Sequence, residues 1–234
     1  MKRLSILIPV FNEENTLQTI LERVYKQTLP DLEYEVVLVD DASTDRSRDV
    51  LQQYMEQHPD RRILHFAQPA NRGKGAALRK CLEMATGDYL IVQDADLEYD
   101  PRDYPKLMEP ILDGRAQVVY GSRFLGGPHR VLLFWHFMAN NLLTLLSNML
   151  NNVNLTDMET GYKAFTRAVA DRLILKSDRF GFEPEFTAKV AKLRVPIYEV
   201  PISYSGRDYS EGKKIGVKDG FAAFWWIFRF RFFN

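Results

Sequence analysis

Two carboxylates, Asp94 and Asp96, and a third at Glu98 follow directly on the apolar run Tyr89-Leu90-Ile91-Val92. A run this short, preceded by Gly87-Asp88, reads as a buried strand rather than a helix. Carboxylates at the carboxyl end of a parallel strand lie on the rim where open α/β sheets bind their ligands. Oxygen donors of this kind suit Mg²⁺ or Mn²⁺, which keep several waters and take other ligands from substrate phosphates. The chemistry read from these residues is therefore a divalent ion holding a diphosphate. An Asp-x-Asp pair also arises by chance or as a turn cap, so the elements around it must decide.

Those elements alternate regularly. Residues 4–10, 35–39, 63–66, 89–92 and 117–120 read as strands. Helical spacing follows the first at Leu17, Ile20, Leu21, Val24 and Tyr25, the second at Val50, Leu51 and Tyr54, and the third at Leu78, Cys81, Leu82 and Ala85. Residues 103–112 read as a further helix, and Asn12 is placed to cap the first one. Such alternation implies β-α-β units and a Rossmann-like layered sheet in one large domain.

Composition narrows the class. Thirty-one basic residues balance 31 acidic ones, which gives no electrostatic argument for a nucleic-acid partner. Cys81 is the single cysteine, set among apolar residues, and reads as a buried small hydrophobe in a reducing compartment. No stretch reaches the ~18 consecutive apolar residues of a membrane span. The Gly-x-Gly-x-x-Gly and Gly-x-x-x-x-Gly-Lys-Ser/Thr phosphate signatures are missing, which lowers dinucleotide oxidoreductases and P-loop hydrolases. The first two strands end instead in Asn12-Glu13 and Asp40-Asp41. Asp41, Ser43 and Asp45 either accept hydrogen bonds from a nucleoside or cap the helix that follows.

Four ordered segments carry a resemblance: Ile8-Pro9-Val10-Phe11-Asn12-Glu13, Val39-Asp40-Asp41-Ala42-Ser43-Thr44-Asp45, Asn71-Arg72-Gly73-Lys74-Gly75 and Gln93-Asp94-Ala95-Asp96. Together they resemble the family 2 glycosyltransferases, which have a GT-A fold, a mixed α/β sheet flanked by helices, and use nucleotide-activated sugars. The resemblance implies nucleoside contacts from Pro9, Phe11, Glu13, Asp41 and Asp45, and metal and diphosphate binding by Asp94 and Asp96. The glycine-rich loop fits a close backbone approach to the ligand, with Lys74 either reaching phosphate or standing solvated.

Beyond Tyr120-Gly121-Ser122-Arg123-Phe124, residues 131–156 carry no formal charge apart from His136. Trp135, Met138, Leu142, Leu145 and Met149 trace one helical face, and Asn140, Thr144, Ser147, Asn148 and Asn151 another. Periodicity alone favours the apolar face packing on the domain. With Thr156-Asp157-Met158-Glu159-Thr160-Gly161-Tyr162-Lys163, Phe182-Glu183-Pro184-Glu185 and the cations of residues 207–215, the order resembles the polyprenyl-phosphate hexosyltransferases. That resemblance implies membrane-facing helices in 131–156, a polyprenyl-phosphate acceptor held by Arg123, with Arg130 and His136 as lesser candidates, and a basic loop in which Arg207 and Lys213 close on the donor diphosphate. Asp157 and Glu159 hold sugar hydroxyls or stabilise a turn.

The sequence departs from that pattern in two places. Glu98 stands where relatives often carry Gln or His as a further metal ligand, and Glu211 leaves open whether Lys213 or Lys214 meets the diphosphate. The domain is expected to span 1–215, followed at 216–234 by an aromatic helix with arginines among phenylalanines, suited to a membrane interface. The expected reaction is a Mg²⁺- or Mn²⁺-dependent, inverting hexose transfer from GDP-mannose or UDP-glucose to a polyprenyl phosphate. It would run at the cytoplasmic face of a membrane, with the protein peripheral or resting on a membrane partner protein. A family 2 transferase with a soluble or saccharide acceptor, a nucleotidyltransferase and a non-catalytic nucleotide-sugar-binding subunit are the alternatives.

Overall fold

Strand β1 (Lys2–Val10) pairs in parallel with β2 (Leu32–Asp40) on one edge and with β4 (Tyr89–Val92) on the other. With both edges bonded and both faces covered, its apolar residues form a continuous run rather than an alternation. Leu4, Ile6, Leu7, Ile8 and Val10 are all buried. The computed structural model describes residues 1–126, 130, 134–179, 181–206 and 217–233.

The remaining strands are β3 (Ile63–Ala67), β5 (Val118–Ser122), β6 (Lys163–Thr166) and β7 (Ile197–Pro201), in the order β3-β2-β1-β4-β6-β5-β7. The sheet is mixed, because β6 runs antiparallel to both β4 and β5. One face packs on α1 (Leu17–Tyr25), α2 (Ser47–Gln57) and α4 (Tyr104–Leu112) through Ile20, Leu21, Tyr54 and Leu107. The other packs on α3 (Lys74–Met84) and α7 (Phe182–Leu193) through Leu78, Cys81, Phe182 and Phe186. A single turn, α6 (Arg167–Ala170), follows β6. β2 lies on one side of β1 and β4 on the other, so the order reverses at β1, and the crevice beyond the strands' carboxyl ends is the expected ligand position.

Two local expectations are corrected. Asn12 does not cap α1, which begins five residues later with Thr16 at its N-cap position. Instead Asn12 takes a left-handed backbone, φ 54°, and its Oδ1 accepts the Thr44 N–H at 2.8 Å, tying the first rim loop to the second.

The second correction concerns α5 (Phe134–Asn151). Its polar face is the one turned inward. Thr144, Ser147 and Asn151 are buried, whereas Trp135, Met138, Leu142, Leu145 and Met149 are exposed. The cause lies in the loop beneath: the Thr144 hydroxyl accepts the Met158 N–H at 3.2 Å, and Asn148 both donates to the Leu155 carbonyl and accepts its N–H. Irregular backbone pressed against a helix needs such partners, and an apolar face would leave it unsatisfied.

Helix α8 (Val217–Phe232) docks on α5 and α7 with Ala223, Ile227 and Phe230 buried, while Trp225, Phe228 and Phe232 are exposed. Among the described residues no helix is long and apolar enough to cross a membrane.

Candidate active site

The rim collects residues from β1, β2, β4 and β5. The first two loops are stitched to each other. The Asn12 N–H donates to Ser43 Oγ, the Glu13 N–H to Ser47 Oγ, and the Glu14 N–H to Asp45 Oδ2. Asp45 also accepts the N–H and hydroxyl of Ser47, which outweigh the upward pull of burial and bring its pKa below the usual value. Asp45 thereby ties the start of α2 to the first rim loop. Pro9, Phe11 and Glu13 lie partly exposed at the end of β1 beside this stitched pair.

Asp41 is 2% exposed, and its carboxylate is taken up by the third loop. Oδ1 accepts from Gln68 Nε2 and the Arg72 N–H, and Oδ2 accepts the Gly73 N–H at 2.6 Å.

The glycine-rich loop makes a close backbone approach to the chain itself. The N–H groups of Gly75 and Ala76 donate to the carbonyls of Arg179 and Asp178 at 3.3 and 3.0 Å. A Cβ on Gly73 would stand 2.7 Å from the Asp178 carbonyl oxygen, and one on Gly75 would press on that of Ser177. Arg79 joins in, bonding the Ser177 carbonyl and the Asp178 carboxylate. The N-terminus of α3 is therefore closed by residues 177–179. Those residues are in turn held by Glu185 of α7, which accepts the N–H groups of Lys176 and Ser177 at 2.7 Å.

Lys74 leaves this loop for the site. It is not solvated: Nζ pairs with Asp94 at 2.8 Å and with Glu183 at 3.0 Å. Burial works against its charge, but the two carboxylates outweigh burial and hold its pKa well above the usual lysine value.

The three acidic residues proposed as metal ligands have different partners. Asp94 faces Lys74. Asp96 Oδ1 accepts the Glu98 N–H at 3.1 Å within the turn, and Glu98 Oε2 accepts the Tyr204 hydroxyl at 2.8 Å. Among the described residues no group of three His, Cys, Asp or Glu converges on one point. Asp96, half-buried on the rim and carrying hard oxygen donors, fits one position of a divalent ion whose other ligands come from a diphosphate and water.

Arg123, just past β5, is bound at two points by Asp157: Nε to Oδ2 at 2.6 Å and Nη2 to Oδ1 at 2.7 Å. Nη2 also reaches Asn140 of α5 at 3.0 Å, and the guanidinium lies over the Tyr204 ring, 5.2 Å from its centroid. Burial opposes the charge, and Asp157 with the nearby tyrosines raises the pKa well above the arginine value. Glu199 on β7 supports the pair by accepting the N–H groups of Thr156 and Asp157. Asp157 is thus neither solvent-facing nor a mere turn residue. Glu159 sits nearby with Oε1 buried and, among the described residues, without a hydrogen-bond partner. Burial, with Glu183 adding to it, lifts its pKa to about 8.

Arg130 donates its backbone N–H to the Tyr204 carbonyl and Nη1 to that of Gly206, which places it beside Arg123's stacking partner. His136 lies one turn before Asn140 on α5. Arg207, Lys213 and Lys214 fall outside the described residues.

Sequence reasoning missed four contributors: Asn140, Glu183, Glu199 and Tyr204. A signal existed only for Glu183, a carboxylate inside the apolar segment Phe182-Glu183-Pro184-Glu185-Phe186.

Residues 5–174 match the Glycosyl transferase family 2 profile, which stops short of Glu183, Glu199 and Tyr204. A dolichyl-phosphate beta-glucosyltransferase of Dictyostelium discoideum is 28% identical over 89% of this chain and 68% of its own length. An undecaprenyl-phosphate 4-deoxy-4-formamido-L-arabinose transferase of Photorhabdus laumondii is 27% identical over 91% of this chain. A low-salt glycan biosynthesis hexosyltransferase of Haloferax volcanii is 29% identical over 88% of it. The chain spans 63% and 48% of the length of those last two relatives. Among solved structures, glucosyl-3-phosphoglycerate synthase of Mycobacterium tuberculosis, crystallised with Mn²⁺ and UDP-glucose, superposes with a TM-score of 0.73 at 20% identity, over 98% of this chain and 79% of that one. The fold is shared with that GT-A enzyme, and by its profile match this chain belongs to glycosyl transferase family 2.

Proposed function

We propose that the protein transfers a hexose from a nucleotide sugar, UDP-glucose or GDP-mannose, to the phosphate of a polyprenyl phosphate at a membrane surface, on the cytoplasmic face. The observation that carries this reading is the orientation of α5. The helix that gives Asn140 to Arg123 turns its apolar face, Trp135, Met138, Leu142, Leu145 and Met149, to solvent. An anion-binding arginine one residue layer from an unpartnered apolar face matches an acceptor with a charged head and an apolar tail. Exposed Trp225 and Phe228 on α8 extend the same character, as expected of helices lying in a membrane interface.

In the proposed reaction the acceptor phosphate oxygen attacks C1 of the hexose, the C1–oxygen bond to the diphosphate breaks, and the nucleoside diphosphate leaves with inversion. A phosphate monoester is largely ionised near neutral pH (second pKa roughly 6), so no separate base is required. Arg123 holds that phosphate and offsets its charge, with Arg130 and His136 beside it. Pro9, Phe11 and Glu13 line the nucleoside side, and Asp41 and Asp45 act there by fixing the loops. Lys74 keeps Asp94 neutralised toward the donor sugar. Asp96 would hold Mg²⁺ or Mn²⁺, which when bound would stabilise charge on the leaving diphosphate; Arg207 and Lys213 would add positive charge at the same group. Glu98 is assigned to the turn through Tyr204 rather than to the ion.

The test incubates the protein with Mn²⁺ or Mg²⁺, a short polyprenyl phosphate and labelled nucleotide sugars. Lipid-extractable label is the expected result, and its absence with every donor, in native membranes as in detergent, would sink the reading. A second reading is favoured by the fold neighbour, whose name and complexes point to phosphoglyceric acid, a soluble phosphate-bearing acceptor. Label in a water-soluble phosphate ester instead of lipid would select it.

A further inference from the structure

Tyr204 touches both halves of the rim. Its hydroxyl donates to Glu98 Oε2 at 2.8 Å, in the turn that carries Asp96. Its ring lies under the Arg123 guanidinium, 5.2 Å from centroid to Cζ. The side chain is held rather than loose. Tyr204 is 8% exposed and bridges to Tyr99 in antiparallel fashion, and the next residue's N–H donates to the Glu98 carbonyl at 3.0 Å. Gly206 closes the other approach, since a Cβ there would stand 2.6 Å from a Tyr204 ring carbon. The Tyr99 ring packs 5.2 Å away at 54°.

Only a tyrosine does both jobs at this position. A phenylalanine would keep the face for the cation and drop the bond to Glu98. An aliphatic residue would lose both. A core aromatic with no role at the rim would be indifferent to the hydroxyl.

We propose that Tyr204 is a positioning residue whose two ends serve different substrates: the hydroxyl fixes Glu98 and the Asp96 turn for the donor diphosphate, and the ring fixes Arg123 for the acceptor phosphate. The inference rests on the donor and acceptor assignments above. It adds that one side chain, in the segment just before the basic loop, serves both sites through two separable contacts.

The experiment compares the full chain with Tyr204→Phe and Tyr204→Leu, each first shown folded by thermal denaturation. Tyr204→Met replaces the leucine variant should that one fail to fold. Titration calorimetry reads three ligands: UDP or GDP with Mn²⁺, farnesyl phosphate, and inorganic phosphate. Tyr204→Phe is expected to weaken nucleotide–Mn²⁺ binding about three- to tenfold through loss of a charged hydrogen bond. It should leave both anions within about twofold, as expected of independent sites. Tyr204→Leu is expected to weaken the nucleotide and, by about three- to thirtyfold, the anions, through loss of the cation–π contact.

Equal losses for all ligands in Tyr204→Phe would overturn the division of labour, as would an unchanged nucleotide affinity. Unchanged anion binding in Tyr204→Leu, or no anion binding to the parent protein, would overturn the ring's assignment. No binding of either nucleotide would overturn the hydroxyl's. Inorganic phosphate binding without farnesyl phosphate binding would remove the lipid reading while leaving the anion arm legible.

Discussion

Asp157 grips Arg123 at two points, 2.6 Å from Nε and 2.7 Å from Nη2, and no part of the Asp157 side chain reaches solvent. A charge pair this enclosed is far from a surface bridge, where the net contribution is about 0–1 kcal/mol. Removing one partner leaves the other charged and unmatched.

Asp157→Ala is therefore expected to destabilise the fold by about 3–5 kcal/mol in denaturant unfolding. Arg123→Leu combined with Asp157→Leu should lose less than the sum of the single changes, because neither charge is then stranded. Additive losses would mean the two residues act independently.

The loop at 71–75 makes a second, purely steric prediction. Gly73 has φ +98° and is crowded by the Asp178 carbonyl, while Gly114 has φ +82° and open space around it. Gly114→Ala should cost about 1 kcal/mol, the left-handed conformation alone. Gly73→Ala should cost about 2–4 kcal/mol by adding overpacking to that strain. Thermal shift against the parent protein checks the ranking, which equal shifts would contradict.

Glu159 sets a pH dependence. Its folded pKa is raised from 4.5 to about 8, with burial the main cause. Between those values the folded state binds more protons than the unfolded one, so this group's stabilisation is complete below pH 4.5 and is lost as pH rises through 8. Unfolding free energy should show that decline, and Glu159→Gln should flatten it. An identical slope in the variant would assign the decline to other groups.

The outward apolar face gives a prediction without a fold effect. Trp135 is 78% exposed, so Trp135→Ser should leave the melting temperature nearly unchanged. Fully burying a large apolar side chain is worth about 1.5–3 kcal/mol, so partition onto liposomes should weaken by about tenfold. Co-sedimentation equal to the parent protein would show that this face does not meet lipid.

What the sequence disclosed follows from where its signals are local. Continuous apolar runs announced β1, β2 and β4, because a strand buried on both faces has no choice of residue type. Acidic tips at Asp41, Asp94 and Asp96 marked the rim for the same reason: a carboxylate beside a buried strand needs an explanation. β6 stayed hidden because it is four residues long and carries Lys163, whose buried ammonium donates to the Met158 and Thr160 carbonyls. Periodicity alone pointed the apolar face of α5 inward, because it shows that a helix has two faces, not which one meets the protein. The partners of Asn148 and Thr144 are backbone groups of the loop after the helix, and backbone groups leave no mark on the sequence. Glu199 and Tyr204 were out of reach for a related reason: each acts through residues far away in the chain.

The antiparallel strand between the two halves of the sheet also bears on how the chain assembles. Strands β1 to β4 lie within the first 92 residues and can pair with one another as soon as that length exists. β5 has no neighbour to join until β6 arrives, since Leu90 and Val118 both pair with Phe165. Closing such long intervals is slow compared with local pairing. The N-terminal half would then be a finished template before the second half condenses on it, with Arg123 and Asp157 meeting late. Variants at that pair are accordingly expected to speed unfolding more than they slow folding.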